Sequence, residues 1–175
     1  HILEMPKLKA ILDLFINVFR SFPFIILMIL VFPLSRFIVG TTIGSTATIV
    51  PLSIAAAPFV ARLIEGAIKE VDGGLIELSK SLGANNWEII FKVLIPEAMP
   101  SLVHSFTITI ISLIGYSAMA GAIGGGGLGD LAIRYGYQRF QTDIMIISVV
   151  VIIIIVQVIQ VIGDLIVKNI KKNRK

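Results

Sequence analysis

Long apolar runs alternate with short polar breaks along this chain, at about 21–39, 46–66, 98–120 and 144–167. Each run is close to the roughly 20 apolar residues that a helix needs to cross a hydrocarbon core. The breaks are Gly40 with Thr41 and Thr42, the acidic stretch Glu70–Asp72, the glycine run at 124–127, and Asp143. Ahead of the first run, residues 1–20 mix Lys7, Lys9 and Arg20 with apolar positions. That lead-in is amphipathic and too polar to be a fifth span. Residues 168–175, KNIKKNRK, form a basic tail. The pattern predicts an all-α fold, a polytopic membrane helical bundle over 21–167.

The connector at 70–96 breaks the rhythm. It contains ELSKSLGANNWEIIFKVLIP, residues 77–96, the longest polar-rich interval between the apolar runs. Asp72 is placed to cap a first short helix, with Leu75, Ile76, Leu78 and Leu82 as its apolar stripe and Gly83 where a helix usually stops. Asn85, followed three residues later by Glu88, is a capping-box pattern. Trp87, Ile90, Phe91 and Leu94 then recur at helical spacing until Pro96. Joining two spans takes only about two to eight residues. The excess predicts a docking surface.

Composition supports the membrane reading. Hydrophobic residues make up 56% of the chain and charged ones only 15%, against about a quarter charged in a soluble domain. Mean hydropathy is +0.95. No cysteine is present, which excludes disulfides and thiolate metal sites. The net charge of +4 does not indicate nucleic acid, because the basic residues cluster at the ends of apolar spans.

Charge also sets the orientation. Lys7, Lys9 and Arg20 lie in the lead-in, Arg62, Lys69, Lys80 and Lys92 around the central connector, and Lys168, Lys171, Lys172, Arg174 and Lys175 in the tail. The other connectors carry only Arg36, and Arg134 with Arg139. The richer set belongs inside, so both termini and the 77–96 loop are expected in the cytoplasm of a cell whose membrane this chain spans several times. No cleavable signal peptide is visible.

The spans lack the groups that would drive transport by themselves. An ion-coupled carrier needs ionisable residues inside the bilayer. Asp143 and Asp164 stand at the ends of the last span and Glu65 at the inner end of the second. His104 lies near the cytoplasmic start of the third and reads as a satisfied interfacial residue. Gln157 and Gln160 read as interhelical hydrogen-bond partners. No G-x-x-x-x-G-K-[ST] phosphate cradle occurs. GGGGLG at 124–129 matches G-x-G-x-x-G literally, but it follows an apolar helix rather than a strand, and its plainer meaning is a turn with positive φ. Neither a catalytic set nor a metal-ligand spacing is found. The driving force is expected from another chain.

Small residues mark the outer end of the third span: Ser117, Ala118, Ala120, Gly121 and Ala122, with Ala55–Ala57 and Pro58 in the second. They either let helices approach closely or leave room for a solute, with Tyr116 and Met119 as bulky occluders. Pro51 and Pro58 are placed to free backbone carbonyls along such a path. Tyr135, Tyr137 and Phe140 read as an interfacial aromatic belt.

Glu77, Gly83, Val93, Ile95 and Pro96 fall at the spacing of the cytoplasmic "EAA" loop of bacterial ABC-importer permeases. Leu78 and Ser79 depart from it, standing where that motif prefers two alanines. The wider stretches RSFPFIIL, IVPLSIAAAPFVARLIE, GYSAMAGAIGGGGLGDL and YGYQRFQTD resemble the methionine importer permease family, over nearly the whole chain after about Asn17. The resemblance implies a type I ABC-importer permease fold with one more membrane helix ahead of His1. It implies a homodimer and cytoplasmic ABC ATP-binding subunits that hold ATP and Mg, so no cofactor is expected in this chain. It also implies an extracytoplasmic binding lipoprotein that delivers methionine, D- or L-. The loop would seat in the ATPase through Glu77, Leu82, Gly83, Ala84, Asn85, Trp87 and Pro96. Tyr116, Ser117 and Met119 would line the path, with Met119 at its constriction. Composition and spacing reach a coupled permease, and the resemblance alone reaches methionine. Another small amphipathic solute, or an ion-coupled carrier using His104, Asp164 or Glu65, are the competing expectations.

Overall fold

Pro23 splits the N-terminal part of the chain into two helices. A computed structural model describes residues 6–172, and every regular element among them is helical. α1 (Pro6–Ser21) ends just before Pro23 and α2 (Phe24–Val39) begins just after it, with the axes bent by 108°. Proline lacks an N–H and fixes φ, here −57° with ψ 130°, so the helix cannot run through. With 16 residues, α2 reaches only about 24 Å. The apolar pattern predicts four comparable spans. The described residues contain three helices long and apolar enough to cross, and a fourth crossing only if α1 and α2 count as one bent span. The lead-in is therefore a helix in its own right, packed against α3 (Ser45–Lys69).

After α3 come α4 (Gly73–Ser81), α5 (Asn86–Glu88), a π-helical stretch Ile89–Leu94, and α6 (Ile95–Gly121). The sequence pattern ends the second short helix at Pro96. Instead the helix runs unbroken from Asn86 to Gly121, 36 residues. The Ile95 N–H bonds to the Ile90 carbonyl, five residues back. That widened turn lies where the Pro96 ring would otherwise press on the preceding turn, so the chain passes through without breaking.

After α6, Gly124, Gly126 and Gly127 have φ of +92°, +77° and +78°, in keeping with the turn expected of the glycine run. The segment from there to α8 (Thr142–Lys172) is more than a plain connector. α7 (Gly127–Asp130) continues through a second π-helical stretch, Leu131–Tyr137, and folds back against α6 and α8. The basic tail continues α8 as far as Lys172. Residues 1–5 and 173–175 of the expected lead-in and tail lie outside the described residues.

α3 packs most extensively on α6, α6 on α8, and α2 on α3. The buried set is slight: Leu27, Met28 and Val31 of α2, Ala47 and Pro51 of α3, Ala98 and Pro100 of α6. Large apolar side chains point outward instead. The best window of α8 has a mean hydropathy of 3.1, yet only 6% of it is buried. Such a surface in water would be a large exposed apolar patch. It fits an apolar solvent, the bilayer.

Candidate functional site

The elbow between α3 and α6 is built from local hydrogen bonds. The Asp72 carboxylate caps α4 by accepting the Gly74 N–H at 2.9 Å. α4 stops as predicted at Gly83, whose φ is +84°. The Gly83 N–H donates to the Lys80 carbonyl at 2.9 Å and the Ala84 N–H to the Ser79 carbonyl at 3.1 Å, the paired bonds of a Schellman terminus. The predicted capping box then starts the next helix. The Asn85 side chain accepts the Glu88 N–H at 2.9 Å, and the Glu88 carboxylate accepts the Asn85 N–H at 3.1 Å. Lys92 donates to the other Glu88 oxygen at 3.0 Å. That lysine hydrogen bond first, and the Asn85 N–H second, hold the Glu88 carboxyl below its ordinary range.

Two of the apolar residues in this stretch turn inward: Ile89 is fully buried and Leu94 nearly so. The others turn out. Leu82 is 80% exposed and Trp87 66%, and Leu78 and Phe91 are exposed beside them. The Trp87 and Phe91 rings stack at 5.9 Å. Trp87 thus packs within its own loop and still presents most of its surface. Glu77, Gly83, Asn85 and Pro96 are exposed and Ala84 is half-buried. Leu78 and Phe91 belong to the apolar stripes of the sequence pattern but not to the contact set expected from it. Periodicity marks both stripes but cannot say which one faces out.

Polar ties fasten the elbow's base. The Ser101 hydroxyl donates to the Glu70 carboxylate across the gap between α6 and α3. Arg62 bonds Asp13 of α1 at 2.9 Å, Glu65 at 2.5 Å and Asn17 at 2.9 Å, and Lys69 bonds Glu65 at 2.7 Å. Glu65, one candidate for ion coupling, is therefore held between two cations. Asp164, another, accepts from Gln160 at 3.1 and 3.2 Å. That pair lies within α8, so Gln160 has its partner one turn along its own helix rather than on a neighbour. His104 is exposed on the wall of a cavity between α3, α6 and α8.

The three path residues do not converge. Tyr116 stacks on Phe24 of α2, with ring centres 4.6 Å apart. Ser117 lines an apolar cavity of about 550 Å³ between α3, α6, α7 and α8, beside Ser53, Leu113 and Ile152. Met119 is 50% exposed, and two residues along a helix places it about 160° around from Ser117. The small residues beside them serve close packing. A Cβ on Gly129 would strike the Ala118 backbone, and one on Gly121 would strike Gly129 and Asp130. The Gly125 N–H donates to the Ala120 carbonyl at 3.0 Å. In the aromatic stretch beyond, Tyr137 and Phe140 are exposed, and Arg139 covers the Tyr135 ring at 4.6 Å.

A family model described as "Binding-protein-dependent transport system inner membrane component" matches residues 3–175. The chain belongs to this family. It is 53% identical to the probable D-methionine transport system permease protein MetI of Vibrio cholerae, over 97% of this chain and 75% of that protein. It is 51% identical to the methionine import system permease protein MetP of Bacillus subtilis, over 94% and 74%. Among solved structures, an inward-facing form of the MetNI methionine ABC transporter superposes with a TM-score of 0.93 at 48% identity, covering 97% of this chain and 79% of that one. The expected all-α permease fold is thus the fold this family member has.

Proposed function

We propose that this chain is the membrane-spanning subunit of an ATP-driven methionine importer. The observation that carries the reading is the superposition on the MetNI methionine ABC transporter at 48% identity over 97% of the chain. The D-methionine and methionine permeases among its relatives support the same solute class, D- or L-.

The elbow is the coupling element. Its exposed ridge of Leu78, Leu82, Trp87 and Phe91 seats in a cytoplasmic ATP-binding subunit, with Glu77 as a charge contact at the edge. An exposed aromatic such as Trp87, once seated in a partner's pocket, is the usual energetic centre of such a contact. ATP and Mg belong to that partner. The lysine and arginine bias supports a cytoplasmic elbow and cytoplasmic ends. Three spans and a bent pair enclose a solute path poorly, which supports a second copy of the chain about a two-fold axis. An extracytoplasmic methionine-binding lipoprotein would deliver the solute on the far side. Closure of the ATPase pair then moves the spans as rigid bodies between inward-open and outward-open states. In this scheme Met119, projecting from α6, meets its counterpart across the two-fold axis, with Tyr116 and Ser117 on the surrounding walls.

Methionine uptake and ATP hydrolysis in vesicles reconstituted with the partner subunits test the assignment. Trp87→Ala is expected to leave insertion intact and to cut uptake per ATP about tenfold or more, in the range of an interface hot spot. Wild-type coupling in that variant would remove the elbow from the docking role. Met119→Ala is expected to raise passive methionine leak, and an unchanged leak would return Met119 to ordinary packing.

A further inference from the structure

α6 and α8 lie in close contact where Gly163 meets Thr107, since a Cβ on that glycine would strike the threonine side chain. Towards the cytoplasmic end the two helices and α3 leave a cavity of about 400 Å³. From Thr107 to Ser101 the wedge runs about 9 Å along α6. Its two ends differ in chemistry. Leu63, Ile108 and Val167 make the deeper walls, while Glu70, His104 and Lys171 line the mouth.

The charges at that mouth are of both signs. Arg62 borders the cavity too, but its guanidinium is occupied by Asp13 and Glu65. Among the described residues Lys171 forms no ion pair, and His104 is exposed there without a hydrogen bond. Glu70 accepts the Ser101 hydroxyl and has a second carboxylate oxygen to offer. A purely anionic ligand would meet the Glu70 carboxylate with its own charge. A ligand carrying an anion and a primary ammonium close together answers both Lys171 and Glu70. The apolar depth, between helices whose outer faces are lipid-grade, calls for acyl chains behind that headgroup.

The geometry points to a binding site for an inner-leaflet aminophospholipid in this wedge. The phosphodiester lies against Lys171 and the His104 ring N–H, the ammonium against Glu70, and the chains along Leu63, Ile108 and Val167. The site rests on the cytoplasmic orientation of these helix ends and goes beyond the importer reading, which needs no lipid site.

The test purifies the protein after reconstitution into vesicles of equal parts phosphatidylethanolamine, phosphatidylcholine and phosphatidylglycerol, and counts retained lipids by native mass spectrometry. Phosphatidylethanolamine is expected to be enriched about tenfold over the other two, the worth of one charge-assisted hydrogen bond. Lys171→Gln should abolish the enrichment, and Glu70→Gln should erase the preference over phosphatidylcholine. Lys168→Gln, on the same helix but outside the wedge, should change nothing. A melting curve for each variant checks that it is folded. Equal retention of the three lipids, a preference for phosphatidylglycerol, or insensitivity to Lys171→Gln would overturn the proposal. So would displacement by soluble phosphoethanolamine as effective as by the lipid, which would make the ligand a soluble one. Methionine uptake by the same vesicles is read separately, so a failed lipid site leaves the importer assignment standing.

Discussion

The elbow between α3 and α6 and the glycine turn after α6 are both polar interruptions between long apolar helices, and they are held differently. The elbow is held by its own sequence neighbours. Asp72 bonds to Gly74, Ala84 to Ser79, and Asn85 to Glu88, each within five residues. Its apolar ridge stays exposed in the chain by itself. The glycine turn has such short-range bonds too, Gly124 to Gly121 and Gly125 to Ala120, but adds close packing to them. Gly121 and Gly129 bring the backbones of α6 and α7 together, and Gly125 lies against the Ala120 backbone and the Thr48 methyl of α3, with no room for a side chain. A locally stapled element keeps its shape while its apolar ridge stays exposed, as the proposed docking role requires, whereas a glycine-packed one serves as an internal joint.

Breaking the joint should cost most. Gly129→Ala places a methyl on the Ala118 backbone, where neither atom is the end of a flexible side chain. The expected loss is about 3 kcal/mol or more, seen as poor folding yield or a melting temperature lower by about 6 °C or more. An unchanged melt would mean that the two backbones part easily, and the contrast between the regions would collapse.

In the elbow, Gly83→Ala meets no atom within 4 Å, so its cost is the left-handed φ of +84° alone. About 1–2 kcal/mol is expected. Because that strain relaxes by straightening the bend, uptake per ATP should fall more than stability does, and equal losses in both would show that the bend has no separate role in coupling. Asn85→Ala removes one half of the capping box and should cost about 1 kcal/mol. Faster amide exchange at Glu88, with the glycine turn unaffected, is the sharpest readout of a purely local device. If Asn85→Ala also loosened α7, the elbow would not be a self-contained piece.

Several particular features are legible in the sequence. Asp72 and Asn85 as caps, Gly83 as the stop and Gly124 as a positive-φ turn all depend on a few adjacent residues, and such short-range chemistry is written in order along the chain. Pro96 misleads because a proline normally ends a helix. Whether a widened turn absorbs it depends on what Ile89 and Leu94 bury against, and that is a tertiary question. Leu78 and Phe91 escape sequence reasoning for a related reason. Helical spacing shows that a stripe exists, while only the placement of α4 against the next helix decides that Ile89 turns in and Phe91 out.

The sequence by itself determined the material and the plan. Apolar length fixed which segments suit a bilayer, charge bias supported the side on which each connector lies, and local capping fixed the elbow. The tertiary structure decided which small residues are joints and which side chains share a space. It separated Ser117 from Met119, spent Glu65 on Arg62 and Lys69, and folded residues 127–137 back into the bundle. The physical reason is range. Caps, turns and hydropathy act over a handful of residues, but helix rotation and close approach are set by surfaces that meet from distant parts of the chain.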